Sequence, residues 1–114
     1  MKISINISKW DVSNVTSFRR MFYNSKFNQD ISGWNVSNAN TLMAMFDMSP
    51  FNQPIGNWDV SKVYNFFRTF DLSSFTGDIS NWDVSNVTNM SSMFDNAQSF
   101  NQDLGNWDVS NVTD

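Results

Sequence analysis

The chain has 114 residues and a formal net charge of −4, and it contains neither cysteine nor histidine. This length suits one domain. Without Cys and His, the chain lacks the usual thiolate nucleophile, the commonest general base and two common metal ligands. We therefore expect no enzymatic activity, no bound metal and no cofactor. Because no run of about 18 apolar residues is present, we also expect no membrane span.

The first nine residues, MKISINISK, alternate apolar and polar side chains. Ile3, Ile5 and Ile7 would lie on one face of an extended segment. We predict that residues 1–9 form a capping strand over the first repeat, because a stacked repeat protein must cover its terminal units.

From position 10 onward the chain repeats one motif, WDVSNVT, or a close variant of it. The five copies start at intervals of 24, 24, 24 and 25 residues, at Trp10, Trp34, Trp58, Trp82 and Trp107. A fixed period of this size is typical of stacked units that bury their apolar sides against each other. We predict one domain over residues 1–114, with repeats at 10–33, 34–57, 58–81 and 82–106 and a partial repeat at 107–114.

Within each repeat the apolar spacing predicts two short elements. In the first repeat the near-alternation of Trp10, Val12 and Val15 predicts a strand, and consecutive strands would pair in parallel. The next apolar residues fall at i, i+3 and i+4, at Phe18, Met21 and Phe22. This spacing predicts a helix of one or two turns. The polar turn that follows leads back to the next tryptophan.

The repeated pattern I-x-x-W-[DN]-V-S-N-V-T-x-x-x-x-M-F, followed by F-N-Q-D-I, covers the chain from about Ile7 to Thr113. It resembles the repeats of the BspA-type leucine-rich-repeat proteins, a family of bacterial surface lipoproteins. The resemblance implies an α/β repeat fold, a leucine-rich-repeat-like solenoid with short parallel strands and short helices. It also implies a role in adhesion or protein binding, with no catalytic residues to transfer.

Aspartates recur in two columns of the aligned repeats. One column contains Asp11, Asp59, Asp83 and Asp108, with Asn35 in the second repeat, and the other contains Asp30, Asp78 and Asp103. Cations between stacked carboxylates would be one use of these columns. The stronger interpretation is turn formation, because Asp readily accepts hydrogen bonds from nearby backbone amides. Three Asn-x-Thr sequons, at Asn14, Asn86 and Asn111, are likewise interpreted as structural.

The repeats differ mainly in the segment predicted to be helical and in the turn after it. The first three repeats depart there from the consensus, and the outward columns receive aromatic, methionine and arginine side chains that binding sites favour. We predict a partner-binding surface formed by Arg19, Arg20, Tyr23, Met43, Met48, Tyr64, Phe67 and Arg68. The alternatives are neutral surface variation, or a site on the opposite side lined by Asp59, Ser61, Asp83 and Ser85.

These features favour a non-enzymatic protein-interaction module, and two settings stay open. The first is a surface or secreted adhesin domain, if the chain is part of a larger exported protein. The second is a small cytoplasmic inhibitor of phage type, because residues 69–114 carry seven Asp and no basic residue and could imitate a nucleic acid. With seven basic residues against eleven acidic ones, we expect no direct nucleic-acid binding. The uncapped C-terminal end also suggests a homodimer.

Overall fold

In the computed structural model, which describes residues 5–114, neighbouring repeats are joined by ladders of backbone hydrogen bonds. Alternate amides of one repeat donate to equivalent carbonyls of the next, with N···O distances of 2.9–3.1 Å between the first two repeats. The four donor and acceptor pairs there are Phe18 to Thr41, Arg20 to Met43, Phe22 to Met45, and Asn24 to Asp47. The same ladder joins the second repeat to the third and the third to the fourth.

The intervening amides bond within their own repeat. Met21 donates to the Phe18 carbonyl, Tyr23 to Arg20 and Ser25 to Phe22, at N···O distances of 3.1, 3.1 and 3.2 Å. Each of these bonds closes a turn. Successive backbone donors therefore point alternately along the repeat and across to its neighbour, which satisfies both sets of polar groups.

This arrangement contradicts the predicted α/β solenoid. Residues 5–114 contain no helix, and their only strand-type pairing is a row of isolated parallel bridges that links Ser17, Thr41, Asn65 and Asn89. The predicted helices are runs of turns at 19–24, 43–48, 67–72 and 91–96. The body measures 40 × 31 × 20 Å with a radius of gyration of 13.1 Å, a value typical of a compact domain of this length.

The predicted helix fails because of its backbone conformation. Arg20 and Asn24 have φ angles of 57° and 50°, in the left-handed region that a right-handed helix does not admit. The equivalent residues of the next three repeats do the same, at Ala44 and Met48, Arg68 and Leu72, and Ser92 and Asn96.

The predicted strand is interrupted by a turn. In the first repeat the Val12 carbonyl accepts the Val15 amide at 2.9 Å, and the Asp11 carboxylate accepts the Ser13 amide at 3.0 Å. Residues 1–4 of the predicted capping strand lie outside the described residues, and residues 5–9 have a bend and a turn in place of a strand.

The core consists of equivalent side chains stacked from repeat to repeat, as the repeat pattern predicted. Two columns of phenylalanine run through it, with ring centroids 5.7–6.4 Å apart: Phe22, Phe46, Phe70 and Phe94, and Phe27, Phe51, Phe75 and Phe100. Within each repeat the two rings also stack on each other, at 3.8–4.6 Å. Isoleucine and valine columns complete the buried interior.

The tryptophans connect consecutive repeats. Trp34, Trp58 and Trp82 are buried, and their indole Nε1 atoms donate to the carbonyls of Ile7, Ile31 and Ile55, 27 residues earlier in the chain, at 3.0–3.2 Å. The prediction that the tryptophans are packing residues is confirmed for these three. Trp107 is half-buried but donates in the same way, whereas Trp10 is 50% exposed.

We predict that Trp58→Ala lowers the free energy of unfolding by about 3–5 kcal/mol, because it removes a buried aromatic ring together with its hydrogen bond. Trp10→Ala is the matched control and should cost less than about 1 kcal/mol, because half of that side chain is already exposed. Urea unfolding of both variants measures the difference. Equal losses at the two positions would contradict this assignment of the core.

The backbone at Gly56 closely approaches the backbone at Asp78. A Cβ atom added to Gly56 would clash with the Asp78 carbonyl oxygen, whereas one added to Gly33 meets nothing within 4 Å. Gly56→Ala should therefore lower the free energy of unfolding by about 1–3 kcal/mol. Gly33→Ala should leave it unchanged or raise it by up to about 1 kcal/mol, because alanine restricts the unfolded chain. Thermal unfolding of the two variants tests this contrast.

Candidate protein-binding surface

The eight residues predicted to bind a partner all retain solvent exposure. Arg19, Arg20, Tyr23, Met48, Tyr64 and Arg68 are exposed, and Met43 and Phe67 are half-buried. None belongs to the buried columns, so each side chain is accessible to a partner without disruption of the core.

The backbone ladder places several of these residues side by side. Arg20 donates to the Met43 carbonyl and Ala44 donates to the Phe67 carbonyl, both at 2.9 Å. Arg19, Met43 and Phe67 therefore form one column across three repeats. Tyr64 lies in another column, where its amide donates to Asn40 at 3.0 Å.

Two arginines cover neighbouring aromatic rings. The Arg20 guanidinium carbon lies 5.6 Å from the centroid of the Tyr23 ring, and that of Arg68 lies 5.1 Å from the centroid of Phe67. Such contacts are cation–π interactions worth about 0.5–1 kcal/mol at exposed sites. They hold the guanidinium groups over apolar surface, and the Arg68 contact covers part of the half-buried Phe67 ring.

Two exposed apolar side chains occupy a strained backbone position. Met48 and Leu72, which we call the apolar pair, are 42% and 51% exposed, with φ angles of 55° and 52°. The Met48 amide donates to the carbonyl of Asp71, so the two residues lie in adjacent repeats. The outer repeats have Asn24 and Asn96 at this position, and asparagine tolerates the left-handed region far better than a bulky apolar residue does.

Directly before the apolar pair lie two acidic residues that the sequence reasoning missed. Asp47 and Asp71, which we call the carboxylate pair, are only 5% and 7% exposed. The buried Oδ1 atom of each has no hydrogen-bond partner among the described residues. The sequence feature that could have pointed to them is a third column of aligned aspartates, at positions 47, 71 and 95. The first repeat has Tyr23 in this column.

The electrostatics of the carboxylate pair are unfavourable. Burial raises the pKa of Asp47 above its ordinary value, and the charge of Asp71 raises it further, while Arg68 and Arg20 oppose this change. In the described part of the chain the only ion pair is between Arg68 Nε and Asp71 Oδ2, at 3.9 Å. The described residues thus leave the buried carboxylates poorly compensated.

The other aspartate columns form turns, which confirms the turn interpretation. Each Asp accepts the amide of the residue two positions later through Oδ1, as Asp59 does from Ser61 at 3.0 Å. Hydrogen bonds from Ser13, Ser61 and Ser85 lower the pKa of Asp11, Asp59 and Asp83. The alternative surface of Asp59, Ser61, Asp83 and Ser85 is therefore occupied by its own hydrogen bonds. No group of three acidic residues suited to hold a metal occurs within residues 5–114.

The asparagines of two sequons also have structural roles. The Nδ2 atoms of Asn86 and Asn111 donate to the carbonyls of Ser61 and Ser85 in the preceding repeat, both at 2.7 Å. In the third repeat Lys62 replaces this asparagine and donates to Asn38 Oδ1 at 3.2 Å.

A groove of about 450 Å³ lies at the end of the body formed by the first repeat. It is lined mainly by core-type side chains, including Trp10, Val15, Phe18 and Met21. Of the eight predicted residues only Arg19 borders it, so the groove is separate from the apolar pair.

These features define a repeat protein built from turns, with a mixed basic and apolar surface on its first three repeats. The family described as Mycoplasma protein of unknown function, DUF285, matches residues 1–74 and 48–114, and the chain belongs to this family. No curated protein and no solved structure matches the chain. Over residues 5–114 the structure has no helix with the length and apolar character needed to cross a membrane.

We predict that Asp47→Asn raises the free energy of unfolding at neutral pH. Because the folded-state pKa of Asp47 is raised, ionisation of this group opposes folding. The advantage of the variant should be complete above that folded-state pKa and disappear as the pH falls below about 3.8, the ordinary value. Urea unfolding at several pH values tests this, with Asp95→Asn in the exposed copy of the column as the control. A loss of stability at neutral pH in Asp47→Asn would contradict it.

Proposed function

We propose that the chain is a non-enzymatic protein-binding module whose contact surface is centred on Met48 and Leu72. The observation that carries the proposal is that both side chains are apolar, exposed and held at φ angles of 55° and 52°. A bulky residue in that conformation costs on the order of 1 kcal/mol. The first and fourth repeats avoid this cost with asparagine, whereas the second and third accept it for exposed apolar side chains that the core does not use.

The surroundings of the apolar pair support the same proposal. Phe67 and Arg68 lie on the run of turns 67–72 that carries Leu72. Arg20 and Tyr23 lie on the run 19–24, which backbone hydrogen bonds join to the run 43–48 that carries Met48. Tyrosine and arginine dominate the binding energy of many protein interfaces, with a partly apolar centre and a polar rim. The cation–π contacts of both arginines reduce the side-chain entropy that a partner would otherwise have to remove.

For the biological setting we propose a bacterial surface or secreted adhesin domain of the BspA type. Membership of a Mycoplasma family and the repeated W-D-V-S-N-V-T pattern support this setting. A second candidate is an inhibitor that imitates a nucleic acid, which the seven aspartates and absence of basic residues in 69–114 favour. Competition with DNA or RNA for a captured partner would support the second candidate over the first.

The double variant Met48→Asn, Leu72→Asn tests the binding surface, because it installs the residue of the outer repeats. We expect partner affinity to fall at least tenfold, since central interface side chains often contribute more than about 1.4 kcal/mol each. We expect the free energy of unfolding to stay level or rise by about 1 kcal/mol per site, because asparagine relieves the backbone strain.

The measurement starts with proteins captured by the immobilised wild-type chain, followed by titration of each captured protein. Asn57→Ser, an exposed change in a turn outside the predicted surface, is the matched control and should bind as the wild type does. Phe67→Ala with Arg68→Ser is a second test of the same surface and should also weaken binding. Unchanged affinity in both surface variants would show that the site lies elsewhere.

A further inference from the structure

The carboxylate pair lies in register with the apolar pair. Asp47 and Asp71 occupy equivalent positions of adjacent repeats, and each directly precedes one member of the apolar pair in the chain. The Met48 amide donates to the Asp71 carbonyl at 2.9 Å, so the backbones of these positions run side by side. Like charges at such neighbouring positions repel each other.

Neither carboxylate has the donors that a buried charge requires. Both Oδ1 atoms are buried and unpartnered among residues 5–114. The other oxygen of Asp71 meets Arg68 Nε only at 3.9 Å, beyond hydrogen-bonding distance. A buried charged group without partners is costly, and this cost is recovered when a donor of opposite charge arrives.

The nearby arginines compensate the carboxylate pair only in part. Arg20 lies over Tyr23 and Arg68 over Phe67, and the Arg68 side chain is 52% exposed. The two outer repeats do not repeat the arrangement, because the first has Tyr23 in this column and the fourth has the exposed Asp95. The uncompensated acidic position is thus confined to the two repeats that also carry the apolar pair.

We infer that the carboxylate pair receives a cationic side chain, lysine or arginine, from the protein that binds the apolar pair. This inference rests on the proposed function and adds the chemistry of the partner: a basic residue flanked by apolar ones. Ammonium and guanidinium groups carry the opposite charge and donate several hydrogen bonds, which is what carboxylates short of donors require.

A protein cation fits this site better than a metal ion does. Calcium takes six to eight oxygen ligands, whereas this position offers two carboxylates, and the described residues contain no acidic group of three or more suited to a metal. Three side chains on these runs of turns are exposed enough to move. Met48, Leu72 and Arg68 are each about half exposed, and long exposed side chains change rotamer rapidly.

The test uses methylguanidinium and n-butylammonium as probes for the two basic side chains. The carboxyl ¹³C resonances of the intact chain are followed during titration at constant ionic strength. We expect saturable changes in the carboxyl chemical shifts of Asp47 and Asp71. In the double variant Asp47→Asn, Asp71→Asn the apparent affinity for each probe, measured through the Met48 and Leu72 methyl resonances, should be at least tenfold weaker. Tetramethylammonium, a cation without N–H donors, is the matched control and should produce no saturable shift.

Equal shifts at the exposed turn aspartates, such as Asp11 and Asp83, would show unspecific charge screening and overturn the inference, as would no shift at all. The affinity of the captured partner for two double variants distinguishes failure of this inference from failure of the proposed function. If the partner loses affinity for Met48→Asn, Leu72→Asn but binds Asp47→Asn, Asp71→Asn as tightly as the wild type, the protein-binding function stands and the cation inference fails. A loss of at least tenfold in both variants supports both.

Discussion

The isoleucine carbonyl before each tryptophan is the constraint on which the stacking of the repeats depends. The Ile31 carbonyl accepts the backbone amide of Trp34, which opens the second repeat, at 3.0 Å and the indole Nε1 of Trp58, which opens the third, at 3.2 Å. A buried indole donor without an acceptor would be costly, so this bond fixes how far each repeat can slide along its neighbour. The fourth repeat keeps the bond although it has one extra residue, because a turn at 98–99 absorbs the insertion before Phe100.

The sequence predicted the core well because packing imposes a residue type. Phe22, Phe27 and Ile31 recur every 24 or 25 residues and are buried, together with their copies in the second and third repeats. It failed on secondary structure because the spacing of Phe18, Met21 and Phe22 is shared by a helix and by consecutive turns. What separates the two is the left-handed backbone, and nothing about Arg20 or Ala44 as residue types announces a positive φ. The absence of Glu and the abundance of Asn, Ser and Asp favour turns. In this chain the composition is the better guide to secondary structure than the apolar spacing that predicted a helix.

The candidate site was partly predictable for a related reason. Outward residues are free to vary because the ladders between repeats use backbone atoms, so a departure from consensus at Arg20, Met48 or Arg68 stands out in the alignment of repeats. The carboxylate pair did not stand out, because Asp also occupies the fourth, consensus-like repeat at Asp95. Only burial distinguishes Asp47 and Asp71 from the aspartates that form turns, and burial depends on the packing of neighbouring repeats rather than on any local pattern.

The position of the apolar pair and the carboxylate pair in the second and third repeats has a physical reason. Strained residues persist only where the surroundings over-determine their conformation. The run around Met48 is bonded on both sides: the Asp47 carbonyl accepts the Asn24 amide, and the Met48 amide donates to Asp71, both at 2.9 Å. Leu72 is held in the same way by a bond to Asp95 at 2.8 Å. At Asn24 and Asn96 the run of turns is bonded to a neighbouring repeat on one side only within the described residues, and there the chain uses asparagine. The inner repeats can therefore hold exposed apolar groups and uncompensated charge that the outer repeats could not.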